Sequence, residues 1–272
     1  MLGKLLKYEF KITGRTLLPI YGALLAITLL VKFVYTPHSI IMLPDGGASI
    51  LYAVIYLAYG CIISATGIVT VVLLIQRFYK NLLRDEGYLM NTLPVSVSKN
   101  IAAKLITATF WSVMALLAGS LSVLLIAANW QDIPEILSDL SVAIRNISDE
   151  VGLHWLLYCL EILLLTLVAI GTSILGVYLA LAIGHMANSH KISCSVAAYI
   201  GLSVVSSAID NSVINLLIHS DRLSSLFRSL VGTSEIAAWH IAILSFLAFA
   251  LIFFIAYFLL TSYVMKRHLN LE

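Results

Sequence analysis

LHWLLYCLEILLLTLVAIGTSILGVYLALAIG, residues 153–184, runs for 32 residues with one formally charged side chain, Glu161. About 20 apolar residues wound as a helix cross the hydrocarbon core of a bilayer, so this run exceeds a single crossing and is expected to tilt or project beyond the lipid. Working outward from it, five more apolar runs of spanning length occur, at residues 16–36, 50–75, 100–128, 192–209 and 237–263. The run at 192–209 is the most dilute, because Ser193, Ser195, Ser203, Ser206 and Ser207 interrupt it, and its far end can continue past Asp210. Lys4, Lys7, Lys11 and Arg15 precede the first run and resemble a signal-peptide n-region. The run is too long for one and lacks an A-x-A-like cleavage site, so it reads as a retained span.

The composition agrees with a membrane protein. Hydrophobic residues make up 61% of the 272 positions and charged residues 11%, with mean hydropathy +1.00, whereas a soluble domain is about half apolar and a quarter charged. The expected fold is all-α and polytopic, one transmembrane domain over residues 1–272 with six transmembrane helices. The formal net charge is +2 and the bases are scattered among apolar spans, which argues against nucleic acid as a partner. Cys61, Cys159 and Cys194 all lie inside apolar runs and read as small core residues rather than disulfide or metal positions.

With the amino terminus inside, the cytoplasmic segments hold Lys4, Lys7, Lys11, Arg15, Arg77, Lys80, Arg84, Lys99, Lys104, Lys191, Lys266 and Arg267, which is 12 of the 16 Lys and Arg. The positive-inside rule then favours both termini in the cytoplasm. Trp130, Trp155 and Trp239 fall at the outer span ends, where an interfacial aromatic belt would place them.

The loop after the second span, residues 76–99, is unlike its surroundings. On a helical wheel Arg77, Lys80, Asn81 and Arg84 share one face, and Phe78, Tyr79, Leu82 and Leu83 another, so 76–86 reads as an amphipathic extension of the span. Gly87 can end it. Tyr88, Leu89 and Met90 then form an apolar knob, Leu93 and Pro94 turn the chain, and Ser96 or Ser98 can cap the third span. An apolar knob beside the charged rim of Arg84, Asp85 and Glu86 suits a small docking surface; on these residues alone, a membrane-surface connector fits as well.

KNLLRDEGYLMNTLPVS leading into a span that begins KNIAAKL resembles the first cytoplasmic loop of bacterial ABC-2 type transporter permeases. The likeness covers most of the chain: a basic amphipathic amino-terminal helix, six spans and a long outer segment before the last. The resemblance implies a permease that dimerises, with an identical or different second subunit, in the bacterial inner membrane. It also implies a separate ATPase that binds ATP and Mg while this chain binds no cofactor itself. Substrate would move outward by alternating access. The loop at 76–99 would be the coupling element, with Arg84, Asp85, Glu86, Gly87, Tyr88, Leu89, Leu93 and Pro94 meeting the ATPase.

Other segments fit such a permease. Residues 1–15 read as an inner interfacial helix, with Lys4, Lys7 and Lys11 in a narrow wedge opposite Leu2, Leu5, Leu6 and Ile12. Glu9 falls on the apolar side, where it needs Arg15 or a base of the first loop as partner, unless the wheel fails in a frayed helix. The second inner connection, GHMANSHK, is short, as a second coupling contact requires, which adds His185, Asn188 and Lys191 to the docking candidates. His185 and His190 are five apart, the wrong spacing for two metal ligands on one helix face, so no metal is expected there.

On the outer side, Asp132, Pro134 and Glu135 mark a helix start, and Ile136, Leu140, Ala143, Ile147 and Val151 recur at helical spacing, as in an amphipathic surface helix. The short apolar pieces 213–218 and 223–231 can form a re-entrant hairpin buried in protein. Gly176, Ala180 and Gly184, and likewise Ser193, Ala197 and Gly201, make small-residue ladders for close helix packing or a dimer seam.

Glu161 is expensive inside a membrane. It either lines the exit path and favours cationic cargo, or is protonated, or pairs with Lys32 or an outer-loop arginine. No P-loop, H-E-x-x-H or G-x-S-x-G occurs, and the seven histidines show no useful spacing to an acid or nucleophile. The chain therefore reads as a non-enzymatic exporter subunit; the alternative is a non-transporting immunity or sensor protein that binds a peptide or regulator, with an intramembrane hydrolase a distant third.

Overall fold

A computed structural model of the chain describes residues 2–35, 47–83, 96–128, 131–187, 190–219, 225 and 234–267. Among these residues the regular structure is entirely helical: α1 (Leu2–Tyr35), α2 (Gly47–Phe78) running on into a π-helical turn (Tyr79–Leu83), α3 (Val97–Ala127), α4 (Ile133–Val151), α5 (His154–Gly184), α6 (Lys191–His219) and α7 (Glu235–Arg267). All except α4 are long and apolar enough to cross a membrane. A helix satisfies its own backbone, which lipid cannot do, and that is why apolar runs of this length become helices. The protein is an all-α multi-pass membrane protein.

Two boundaries differ from a reading of polarity alone. The helix expected over 1–15 and the span over 16–36 are one continuous α1, because the change from basic to apolar residues alters the environment of the helix without breaking its backbone. Pro19 lies inside α1; it removes one hydrogen bond to Arg15, a loss that membrane helices tolerate. Glu9 and Thr13, on one face of α1, are both buried. At the other end of the chain, α6 continues past Asp210 to His219, so residues 213–218 belong to that helix; of 223–231, only Ser225 is among the described residues.

The surface helix α4 begins directly after Asp132, whose carbonyl accepts the Ile136 amide at 2.8 Å. None of its residues is buried, and Ile136, Leu140 and Ile147 remain exposed. It ends at Gly152, which has φ +63° and donates its amide to Ser148; a side chain there would clash in the left-handed region.

The chain divides into two compact units, Met1–Gln76 with Ile106–Ala143 and Arg77–Leu105 with Ile144–Glu272. Within the first, polar groups join the apolar helices. Tyr21 donates to the Trp111 carbonyl at 3.1 Å. The Thr28 hydroxyl donates to the Leu24 carbonyl at 2.7 Å, so Ser122, 2.9 Å away, donates to Thr28 and Tyr59 in turn donates to Ser122. One proton per hydroxyl leaves that direction alone for the chain. Gly14 permits a close approach to α3, since a Cβ there would stand 2.9 Å from the Trp111 ring.

In the second unit α5 packs along α6 and α7. Its core holds Phe78, Leu82, Leu83, Ile101, Leu105, Leu175, Tyr178, Ala182 and Met265, with the Phe78 and Tyr178 rings stacked at 3.7 Å and 9°. The ladder in α5 serves this packing: Gly176 lies against the Tyr257 ring, and a Cβ at Gly184 would collide with Ser195 of α6. The ladder in α6 does not, because Ser193, Ala197 and Gly201 are exposed. The cysteines are not core residues: Cys61 and Cys159 are exposed on helix surfaces and Cys194 is half-buried. In a bilayer the outer surface of a helix is itself apolar, so a small thiol has no need of the interior.

Candidate functional site

Two ends of the second unit carry chemistry. At the end where α5 and α7 finish, the π turn decides the layout. In an α-helix Phe78 and Leu82 would share a face, while Leu83 would be turned away from it; an i to i+5 turn brings Leu83 round as well, and all three are buried. Lys80 is exposed on the other side. The chain resumes with Ser96, whose carbonyl accepts the Lys99 amide at 2.9 Å, while Ser98 bonds Ser262 of α7 at 2.8 Å. Both stubs of the loop are thus held on the core.

Arg84, Asp85, Glu86, Gly87, Tyr88, Leu89, Leu93 and Pro94 lie outside the described residues, as does Asn188. Of the remaining docking candidates, His185 is buried and its ring stands 5.2 Å from that of Tyr79, and Lys191 opens α6 half-buried. His190, at φ 54°, accepts the Cys194 amide at the start of that helix. The same end holds Arg77, Lys80, Lys99, Lys266 and Arg267, the last lying 5.2 Å over the Tyr263 ring.

The opposite end contains Glu161. Its Oε1 accepts from Nδ1 of His240 at 2.8 Å, with the two side chains 15% and 16% exposed, so neither group is freely solvated. His240 Nε2 stands 3.2 Å from Nδ1 of His154. The Tyr158 ring stacks on His240 at 4.2 Å and 20°, and its hydroxyl donates to the Ile236 carbonyl at 2.9 Å. Residues 154, 158 and 161 share one face of α5, and 236 and 240 one face of α7, so two helical repeats build the cluster. In the neutral tautomer that donates Nδ1–H to Glu161, the His240 ring presents a lone pair at Nε2.

Of the partners expected for Glu161, Lys32 is engaged elsewhere: its ammonium donates to the Ala128 carbonyl in the first unit. The acid pairs with His240, a partner that the spacing of the histidines along the chain did not suggest. Linear spacing hid the pair, since 79 positions separate the two. A signal existed in depth: α5 and α7 run parallel, and Glu161 and His240 sit about 10 Å and about 8 Å along their helices at 1.5 Å per residue.

No family model matches the chain, and neither curated proteins nor solved structures give a significant match.

Proposed function

We propose that the protein is the membrane-spanning subunit of an ATP-driven exporter, docked through the 76–99 loop to a separate ATPase that binds ATP and Mg. The observation that carries this reading is the Tyr79–His185 contact at 5.2 Å. It holds the base of the first candidate docking loop against the base of the second, which supports the reading that both serve one surface. A basic platform of this kind suits transmission of force from a partner, because Leu82 and Leu83 are locked into a core while Lys80, Lys99 and Lys266 stay exposed. In this reading that end faces the cytoplasm of a bacterial cell, with both termini there, as the distribution of basic residues favours. A second permease copy, identical or not, fits the exposed Ser193, Ala197 and Gly201 ladder. Nothing in the reading makes this chain an enzyme.

The test is affinity purification of the full chain from its native membrane. An ATPase without spans of its own, recovered in stoichiometric amount and hydrolysing ATP, supports the proposal. Recovery of the chain alone, or with a peptide ligand and no ATPase, favours the sensor or immunity alternative.

A further inference from the structure

The Glu161, His240 and His154 cluster has a geometry that a plain ion pair does not require. Two imidazole nitrogens bound to one tetrahedral zinc, each about 2.0–2.1 Å from the metal, stand about 3.3–3.4 Å apart. His154 Nδ1 and His240 Nε2 are 3.2 Å apart, so a cation could enter between them with almost no change in their separation. The rings, with planes at 55° and centroids 5.3 Å apart, need only a small rotation of His154. That residue is exposed at the first position of α5.

The surroundings match those of a metal-binding imidazole. A histidine ligand characteristically gives its second nitrogen to a carboxylate, which sets the tautomer and raises the basicity of the ligating nitrogen. Glu161 accepts from Nδ1 of His240 at 2.8 Å, on the side of the ring away from His154. Tyr158 covers the His240 face and is itself fastened to the Ile236 carbonyl. The His240 ring is therefore held in position before any ion arrives.

We propose that His154 and His240 bind one zinc-class divalent cation between α5 and α7, through Nδ1 and Nε2 respectively, with Glu161 as the positioning carboxylate. Among the described residues no three His, Cys, Asp or Glu side chains converge on one point. With two protein ligands the site has fewer than the three of a catalytic centre or the four of a structural one, so water supplies the remaining positions and the ion is exchangeable. The nitrogen donors select zinc, cobalt or nickel over magnesium and calcium, which prefer all-oxygen shells. An ion here ties the first turn of α5 to the second turn of α7. The inference stands independently of any ATPase partner.

Titration of the full chain in detergent, purified through a histidine-free tag, tests it with Zn2+ and Co2+ as probes. Saturable Zn2+ binding, a Zn2+-dependent rise in Tm and cobalt ligand-field absorption are expected, with no response to Mg2+ or Ca2+. His240→Ala should remove the cobalt bands, and the surface change His154→Ala should weaken binding at least about tenfold. Glu161→Gln should weaken it about 10–100-fold, the range for such supporting groups, while the protein stays monodisperse. Binding that persists unchanged in the His154→Ala, His240→Ala double variant would locate the metal at other histidines and overturn the proposal, as would a wild-type protein that shows no cobalt spectrum.

Discussion

Glu161 of α5 accepts a 2.8 Å hydrogen bond from His240 of α7, which joins two membrane helices along the half of α5 that has no buried residues. Every fully buried position of α5 lies at Gly171 or beyond. In the first half of the helix, side-chain pairing and ring stacking take the place of close backbone approach. The seam is thus apolar at one end and polar at the other.

Breaking the polar end should loosen that seam. Glu161→Ala leaves the Nδ1 donor of His240 without its acceptor, and interhelical hydrogen bonds in membrane proteins contribute about 0.6 kcal/mol, up to about 1.7. A loss within that range is expected in reversible unfolding of the metal-free protein. Glu161→Gln keeps an acceptor oxygen and should lose less. Equal stability of the alanine variant and wild type would mean that the pair joins nothing.

The close packing of α5 against α6 should be far less forgiving. Gly184→Ala places a methyl group onto Ser195 of α6, including its backbone, whereas Gly201→Ala meets nothing within 4 Å. Forced overpacking costs about 1–3 kcal/mol, so the first variant should lower Tm clearly and the second should leave it unchanged in the isolated subunit. If Gly201→Ala disrupts a dimer while sparing the monomer, the exposed ladder of α6 is a subunit seam.

Topology is open to labelling in intact cells. Single cysteines at positions 85 and 190, in a cysteine-free background, should react only from the cytoplasm. Those at 139 and 225 should react only from outside, because an arrangement with the amino terminus inside puts 12 of the 16 basic residues on the cytoplasmic side, as the positive-inside rule favours. External reaction at position 85 would reverse the arrangement.

If the 76–99 loop docks an ATPase, as proposed, Tyr88→Ala with Leu89→Ala should abolish co-purification of that ATPase while the subunit still inserts, because central apolar anchors dominate small interfaces. Charge reversal at Asp85 and Glu86 should weaken association in a salt-dependent manner, as rim charges do. Gly87→Val should also impair docking, through the backbone. A double alanine variant that retains its ATPase and transports normally would reduce the loop to a connector.

How much of this was legible beforehand depends on the range over which each property is decided. The six spans could be read directly, since a run such as 153–184 is apolar over its own length and the bilayer demands a helix of any such run. The start of α4 after Asp132 is local in the same sense. Continuity of α1 was not legible, because the change of polarity near Arg15 marks where the environment changes, and the backbone carries no matching break. The exposure of Cys61 and Cys159 was equally hidden, since an apolar residue in a membrane can face either lipid or protein. Above all, the partner of Glu161 and the contact of Tyr79 with His185 depend on which helices become neighbours. Residues far apart in the chain meet only when parallel α5 and α7 bring equal depths together, or when a π turn presents Tyr79 to the end of α5. The amino-acid sequence by itself determined that there are helices and which of them span; tertiary packing alone decided which side chains meet, because that choice is made between helices rather than within them.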